Sequence, residues 1–562
     1  MREDTQTRLS QKIAQSFREK PIDGLALKKL IESGLLWLRT NQQLVNSLNV
    51  FPVPDGDTGT NMVLTMQSAF DEINLSAEHN FGKMMHSVAH GALMGARGNS
   101  GVILSQLWRG FARAVDSIEV LDGPTFVQAF VNARDTAYKG VVRPVEGTIL
   151  TVAKDSAAAA EEALKHTNDP LTILEYVVRA ADISVQSTPD LLPVLKEAGV
   201  VDSGGKGLFF ILEGMLRYSY GLSLEIPTTT IQSLGAMKLA ELEEVIEPGQ
   251  DFEVIVDFRP SKPLDIEGFY RDLETMGTSI QVGEGDGIYR LHIHVPTEKL
   301  YEPITYTRTL GTVTKAAIEN LIAQMEESGA SSRGFSLSLA PVEPNQIAVV
   351  AVSPGPGIAR VFASLGVAAI IEGGQTMNPS TQEIINAFEN LPTDKIIILP
   401  NNKNIILAAR TALEMTVKQV AVVPSKSIPQ GLSAMLRLAP QGDFKNVVED
   451  MIDALEQVET GEITTATRSV EIDGVETQEG QVIALHNGKL VLATDSLEQA
   501  CLGFLEIAHA SHFELITLFY GAAVTKQEVN HIADIIRRKY PEQEVEIQEG
   551  GQPYYQFIIS IE

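Results

Sequence analysis

One cysteine, Cys501, stands among 562 residues. A single thiol closes no internal disulfide and builds no cysteine-rich zinc site. Its setting, LEQACLGFLEIA, has the apolar spacing of a helix, so a buried structural thiol is expected rather than a nucleophile. No apolar run reaches the roughly 18 residues that a membrane span needs. The N-terminal MREDTQTRLSQKIAQSFREK is charged throughout and lacks the apolar stretch of a signal peptide. Basic residues are scarce: 44 Lys and Arg face 72 Asp and Glu, a formal charge of −28. A field of that sign repels phosphate backbones and argues against nucleic acid as a partner. It does not oppose small phosphorylated ligands, because magnesium bridges carboxylates to phosphates. Together these absences predict a cytoplasmic protein without a membrane span.

What is present is ordinary globular composition, 44 % apolar and 21 % charged, in a chain too long for one core. Three textures follow one another. Residues 1–222 carry apolar positions at spacings of three and four, in LALKKLIESGLLWLRT, FGKMMHSVAHGALMGA, SGVILSQLWRGFARAV, TILTVAKDSAAAAEEAL and LTILEYVVRAADISVQS. Short breaks bearing Gly, Pro and Asn separate them. An all-α domain of about eight helices, able to close as a helical barrel, is predicted. Residues 223–328 mix alternating FEVIVDF and YRLHIHV with helical LDIEGFYRDLETM and a further helix around TKAAIENLIAQM. That order predicts a small α+β middle domain of ferredoxin-like type. Polar, aperiodic EESGASSRGFSLSLAPVEPNQ reads as a linker. In residues 329–562 buried apolar strands alternate with helices, which predicts an α/β domain with a mostly parallel sheet. Its last hundred residues continue that sheet or pair as an antiparallel extension.

The chemistry concentrates at four breaks between helices. In NVFPVPDGDTGTNM, Asp55 and Asp57 flank a glycine after a proline-stiffened turn. Two carboxylates held so close repel unless a cation joins them. Magnesium takes oxygen ligands and typically links one or two carboxylates to substrate phosphates. Thr58, Thr60 and Asn61 then open a helix, whose free N–H groups suit phosphate oxygens. A surface turn with an Asp or Thr cap would look the same. In GARGNSG, Asn99 and Ser100 begin another helix, and the Gly-Lys-Ser/Thr ending of a P-loop is absent. RPVEGT ends on Thr148, and VDSGGKG holds Asp202 and Gly204. Each could be plain capping; four such loops in one helical domain point to a shared rim.

These motifs, in this order, resemble the nucleotide-binding L subunit of dihydroxyacetone kinase. They resemble more closely the kinase domain of the bacterial fatty-acid kinase catalytic subunit. The resemblance implies a helical, middle and α/β arrangement over the whole chain. It implies ATP and Mg2+ as cofactors, with Asp55 and Asp57 as two members of an acidic triad that holds magnesium. At the third member this chain has Asn49 or Val50, and Asn49 offers one neutral oxygen. Thr58 and Asn61 match positions that touch phosphate and metal, Ser100 matches the second phosphate loop, and Thr148 and Asp202 match loops that hold the nucleoside. The acceptor it implies is a fatty acid carried by a separate binding protein of DegV-like fold, which docks on the C-terminal region; the product is an acyl phosphate. Such a carboxylate is already ionised at neutral pH and needs no general base.

Two further clusters stand apart. His292 and His294 share one face of YRLHIHV. The resemblance implies a cysteine on a neighbouring strand, where Asp251 stands here, so Asp251, His292 and His294 form a candidate Zn2+ set; a solvated polar strand face is the other reading. In the α/β domain, residues 353–357 (SPGPG), 373–380 (GGQTMNPS) and 400–404 (PNNKN) each follow a strand. Open α/β sheets bind ligands at that end, although plain turns look alike. Three functions remain open: the catalytic chain of a fatty-acid kinase, a kinase for a small hydroxy-ketone, and an ATP-sensing scaffold favoured by Asn49. A homodimer through the middle domain is a further expectation.

Overall fold

The computed structural model describes residues 17, 20–49, 56–224, 232–233, 251–320, 339 and 341–562, apart from 117, 142, 263, 274, 286–287, 376, 467–468 and 473. The chain forms two compact units: Met1–Leu224 together with Ser338–Glu562, and Glu225–Leu337.

The N-terminal part is all helix. Among the described residues it holds α1 (Gly24–Thr40), α2 (Gln42–Ser47), α3 (Thr58–Asn74), α4 (Phe81–Met94), α5 (Gly98–Ala114), α6 (Gly123–Gly140), α7 (Ile149–Ala163), α8 (Pro170–Leu191), α9 (Pro193–Glu197) and α10 (Ser203–Ser219). The starts are set locally. Asp23, Asn80, Asp122, Thr148, Asp169 and Asp202 each accept a backbone N–H from the first turn of the helix that follows. The eight long helices close a ring in which α1, α3, α4, α5, α6, α7, α8 and α10 pack in turn, and α10 returns to α1. The face turned inward from each is apolar: Ile31, Leu38, Met66, Leu104, Val177 and Ile211 are fully buried. Short connections make α3 to α7 run alternately up and down. The N-termini of α3, α5 and α7 therefore share one rim.

Among its described residues the middle unit is a single sheet with two helices. β1 (Gln232–Ser233), β2 (Phe252–Pro260), α11 (Ile266–Leu273), β3 (Thr278–Gly285), β4 (Ile288–Val295), α12 (Glu302–Leu310) and β5 (Gly311–Asn320) follow in order. The sheet runs β1-β3-β4-β2-β5, a ferredoxin-like arrangement with one short strand added. One element differs from the sequence reading. TKAAIEN, the first part of the expected helix, is strand β5, paired antiparallel with β2 from Phe252 to Pro260. The helix comes earlier, at α12. The strand is needed to cover the open edge of β2, and that tertiary demand outweighs the helical spacing of its alanines. The rest of that segment and most of the expected linker lie outside the described residues.

The C-terminal part stacks two sheets. β6 (Ile347–Ser353), α13 (Pro356–Ser364), β7 (Ala369–Glu372), α14 (Thr381–Glu389), β8 (Lys395–Leu399), α15 (Ile406–Leu413) and β9 (Gln419–Val422) build a four-stranded, all-parallel sheet ordered β7-β6-β8-β9. Ile347–Ser353 is buried at every position, as a strand covered on both faces must be. After α16 (Ile428–Met435) and α17 (Phe444–Ala454), the remaining strands form a six-stranded sheet and a two-stranded ribbon. Only one pair in the six-stranded sheet, Leu515–Tyr520 with Glu544–Glu549, is parallel. The antiparallel extension is thus the form taken. Cys501 is fully buried beside Phe504, and burial pushes its thiol up to about 12, the behaviour of an inert core residue.

Helical and α/β parts meet through a shared apolar cluster. Ala96 and Val102, at the start of α5, pack with Ile384, Ile385 and Ile405. Arg109 and Glu414 pair at 3.2 Å on the exposed margin. Burial should dominate this junction. Ile384→Ala should lower the unfolding free energy by about 2–4 kcal/mol, whereas Arg109→Ala should change it by less than about 1 kcal/mol. Chemical denaturation of both variants checks the ordering.

Candidate active site

Gly56, at φ +63°, turns the chain into α3. Residue 57 is the N-cap of that helix, yet its carboxylate does not cap it. Asp57 is 6 % exposed and looks across the rim instead. The amide of Asn378 donates to Asp57 Oδ2 at 2.6 Å, and the amide of Asn49 donates to Oδ1 at 3.5 Å. Asp55 lies outside the described residues.

The four sequence motifs do converge. Ser203, at the start of α10, donates to the Thr58 hydroxyl at 3.3 Å. Asn61, one turn into α3, lies against Gly98 of the second motif. Gly98 has φ +58°, and a Cβ there would stand 2.6 Å from Asn61 Nδ2, so only glycine fits. Thr65 secures the same join, donating to the carbonyl of Asn61 at 2.7 Å and accepting from the Arg97 N–H at 3.4 Å. Asp202 links the third and fourth motifs: it accepts from the Gly205 N–H at 2.6 Å and from the N–H of Ile149. Gly204 packs its backbone against Ile149. A set of helix N-termini with a buried carboxylate among them suits a divalent cation and phosphate oxygens.

The individual positions divide. Asp57, Thr58 and Asn61 face this centre. Thr60 does not: its hydroxyl accepts from Gln42 at 3.0 Å and Asn46 at 3.1 Å, fastening α2 to α3. Thr60 and Asn61 are adjacent on a helix and so point about 100° apart. Asn99 is exposed and donates to Asn404 of the α/β part at 3.4 Å. Ser100 is partly exposed in the first turn of α5. Thr148 caps α7 and donates to the Val145 carbonyl at 2.7 Å. Asp202 is partly buried, and protein packs around its carboxyl group. That desolvation raises its pKa from 3.8 to about 6, against the two N–H groups that lower it.

Sequence reasoning missed the contribution of the α/β part. Asn378 comes from the 373–380 loop that follows β7. Arg97, just before α5, donates to the Asn378 carbonyl at 2.9 Å and pairs with Glu383 at 3.1 Å. Thr381 N–H donates to the carbonyl of Ala96 at 3.2 Å. Burial raises the Glu383 pKa, but the Ser380 N–H and Arg97 outweigh it, so the carboxylate is held below its ordinary value. The only available signal was the loop's place at the carboxyl end of a parallel strand.

Magnesium suits the donors present. Asp57 is a buried carboxylate, and Asn378 Oδ1 beside it is a buried acceptor with no hydrogen-bond partner among the described residues. Among the described residues no three His, Cys, Asp or Glu side chains gather as a metal site. In the middle unit the acid that reaches the histidines is Glu253, not Asp251. Glu253 lies opposite His294 in the ladder and 3.2 Å from His292 Nδ1. Asp251, two residues earlier, accepts from the Thr297 hydroxyl at 2.5 Å. The Nε2 atoms of the buried His292 and His294 lie 3.3 Å apart, within hydrogen-bond reach of each other.

The helical barrel, whose loops gather the buried carboxylate of Asp57 at a shared rim, matches the family model of the DAK2 domain over residues 52–217. Residues 247–328 match the middle domain of the FakA-like fatty acid kinase proteins, and residues 348–562 match their C-terminal domain. An uncharacterized protein of Staphylococcus saprophyticus is 37 % identical over 551 residues, covering 96 % of this chain and 99 % of the relative. One from Staphylococcus epidermidis is 38 % identical over 555 residues, with the same coverage. The chain belongs to the FakA-like fatty acid kinase family. Among solved structures, the DegV family protein Cg2579 of Corynebacterium glutamicum aligns at TM-score 0.31 and 16 % identity, over 39 % of this chain and 97 % of that one. The Streptococcus pneumoniae Fatty Acid Kinase (Fak) B3 protein loaded with linoleic acid aligns at TM-score 0.26 and 11 % identity, over 33 % and 76 %. No described helix is long and apolar enough to cross a membrane.

Two outcomes follow from this geometry. Gly98→Ala should cost about 1–3 kcal/mol through its positive φ and the push on Asn61; thermal denaturation reads the loss. Asp202 titrates higher in the folded chain than the ordinary 3.8, at about 6. Between those values the folded chain holds a proton that the unfolded chain has released, so this group's contribution to stability falls as pH rises through the window. Asp202→Asn keeps an accepting oxygen and removes the titration. Its denaturation midpoint should lack that fall and match or exceed the parent's at pH 7.

Proposed function

We propose that the chain is the ATP-using component of a kinase that transfers the γ-phosphate of Mg-ATP to the carboxylate of a fatty acid held by a separate binding protein. The observation that carries this reading is the rim: buried Asp57 amid the N-termini of α3, α5, α7 and α10, in a chain of the FakA-like fatty acid kinase family. Asp57, with Asp55 and the neutral oxygen of Asn49, is assigned to magnesium. Thr58, Asn61 and Ser100 are assigned to phosphate, and Thr148, Asp202 and Gly204 to the nucleoside. Magnesium held by these residues would supply positive charge against that developing on the transferred phosphate.

The residues of the chain align and shield rather than attack. Helix N-termini direct N–H groups toward phosphate, and the buried setting of Asp57 strengthens each charge interaction there. A carboxylate acceptor is ionised at neutral pH, so no base is required. Domains 1–222, 223–328 and 329–562 are assigned to nucleotide binding, to a middle module and homodimer contact, and to docking of the lipid-binding partner. A cytoplasmic location is part of the same reading.

Asp57→Asn tests it. The variant should keep its helical fold by circular dichroism and lose ATP turnover, measured with a fatty-acid-loaded partner, by roughly two to three orders of magnitude. Parent chain that turns over ATP with dihydroxyacetone and no lipid would favour the hydroxy-ketone kinase. Parent chain that binds ATP without turnover on either acceptor would favour the scaffold.

A further inference from the structure

Asn378 lies 321 residues beyond Asp57 in the chain, and its amide donates to that carboxylate at 2.6 Å. It is 2 % exposed. Its backbone carbonyl is held by Arg97, which in turn is held by Glu383. Glu383 and Ser380 form a reciprocal capping box that sets the start of α14 three residues further on. The side chain is therefore pinned from behind and cannot be a casual surface contact. It lies over Gly98, where a Cβ would stand 3.6 Å from Asn378 Nδ2 and 2.6 Å from Asn61 Nδ2. Asp57, Asn61 and Asn378 thus surround one point of the rim.

The amide is only half used. Its Nδ2 is engaged by Asp57, while Oδ1 is buried and accepts no hydrogen bond among the described residues. Leaving a buried acceptor unmade costs about 1–3 kcal/mol. A contact whose sole task is to join two domains gains nothing by carrying that cost; a leucine there would pack without it. A neutral oxygen beside a carboxylate is what a hydrated divalent cation uses, directly or through a bound water.

We propose that Asn378 is a positioning residue of the magnesium–nucleotide site. It orients Asp57 through Nδ2 and offers Oδ1 toward the cation or its water, so the site is built jointly by the helical and α/β parts. This rests on the assignment of Asp57 to magnesium. Hydrogen bonds to a ligating carboxylate fix its orientation, and their loss typically weakens metal binding 10–100-fold.

Magnesium titrations of ADP binding to the full-length chain, followed by calorimetry, test the proposal without relying on turnover. Asn378→Leu should raise the magnesium concentration at half-saturation 10–100-fold. Glu383→Gln loosens the Arg97 clasp without touching Asp57 and should shift it less than about threefold. Unchanged magnesium dependence in Asn378→Leu, or an equal shift in Glu383→Gln, overturns the proposal. Asp57→Asn separates the two levels: if it leaves the magnesium dependence intact, the metal assignment itself fails, whereas a large effect there with none in Asn378→Leu sinks only the role of Asn378. Asn378→Asp guards against misfolding of the leucine variant. It sets a second carboxylate against Asp57, so it should melt lower than the parent without magnesium and recover when magnesium is added. A loss that magnesium does not recover means a merely structural contact.

Discussion

A carboxylate taken out of water at the mouth of a helical ring is the constraint around which this structure is arranged. Asp57 is buried, and burial of a charge is costly unless donors or a cation compensate. The compensation comes from every direction the fold can supply. The N-terminus of α3 lies beneath it, Asn49 approaches from the preceding turn, and Asn378 reaches over from another domain. A ring of alternating helices makes this achievable, because it delivers several N-termini to one edge without long loops. The same ring leaves its apolar faces inward, so the stability of the barrel and the geometry of the rim have one origin.

The join between helical and α/β parts shows how a site is held in place by forces of different reach. Apolar burial around Ile384 and Val102 supplies the adhesion. Polar contacts supply direction: Arg97 grips the Asn378 carbonyl and Glu383, and the Thr381 N–H meets the carbonyl of Ala96. Without the apolar cluster these hydrogen bonds would exchange with water at little net gain. Without them, the cluster would tolerate small slips that carry Asn378 away from Asp57. Glycine at 98 is the close-approach element, since any side chain there would stand where Asn61 does.

Much of this was legible in the residues. Helical spacing located the helices, and the glycine-bearing breaks located the rim. Alternating strands gave the middle sheet, except where the edge of β2 recruited TKAAIEN as strand β5. That substitution of strand for helix depends on partners 58 to 68 residues away (Lys315 with Asp257, Asn320 with Phe252), which local spacing cannot register. The histidine pair was placed correctly on one face, but its acid was taken as Asp251. The ladder puts Glu253 opposite His294, and a two-residue offset along a strand moves a side chain nearly 7 Å.

By itself the sequence determined which segments of the first domain are helical and that a carboxylate loop opens α3, because spacing and turn preferences act within a few residues. Only the tertiary structure decided that Thr60 serves α2 instead of the rim, that Asp202 is engaged by two helix N-termini, and that the partner of Asp57 is Asn378. Those choices depend on ring closure and on the packing of the α/β part against α5. Contacts of that kind join separate elements, 321 positions apart for Asp57 and Asn378, and no local pattern records them.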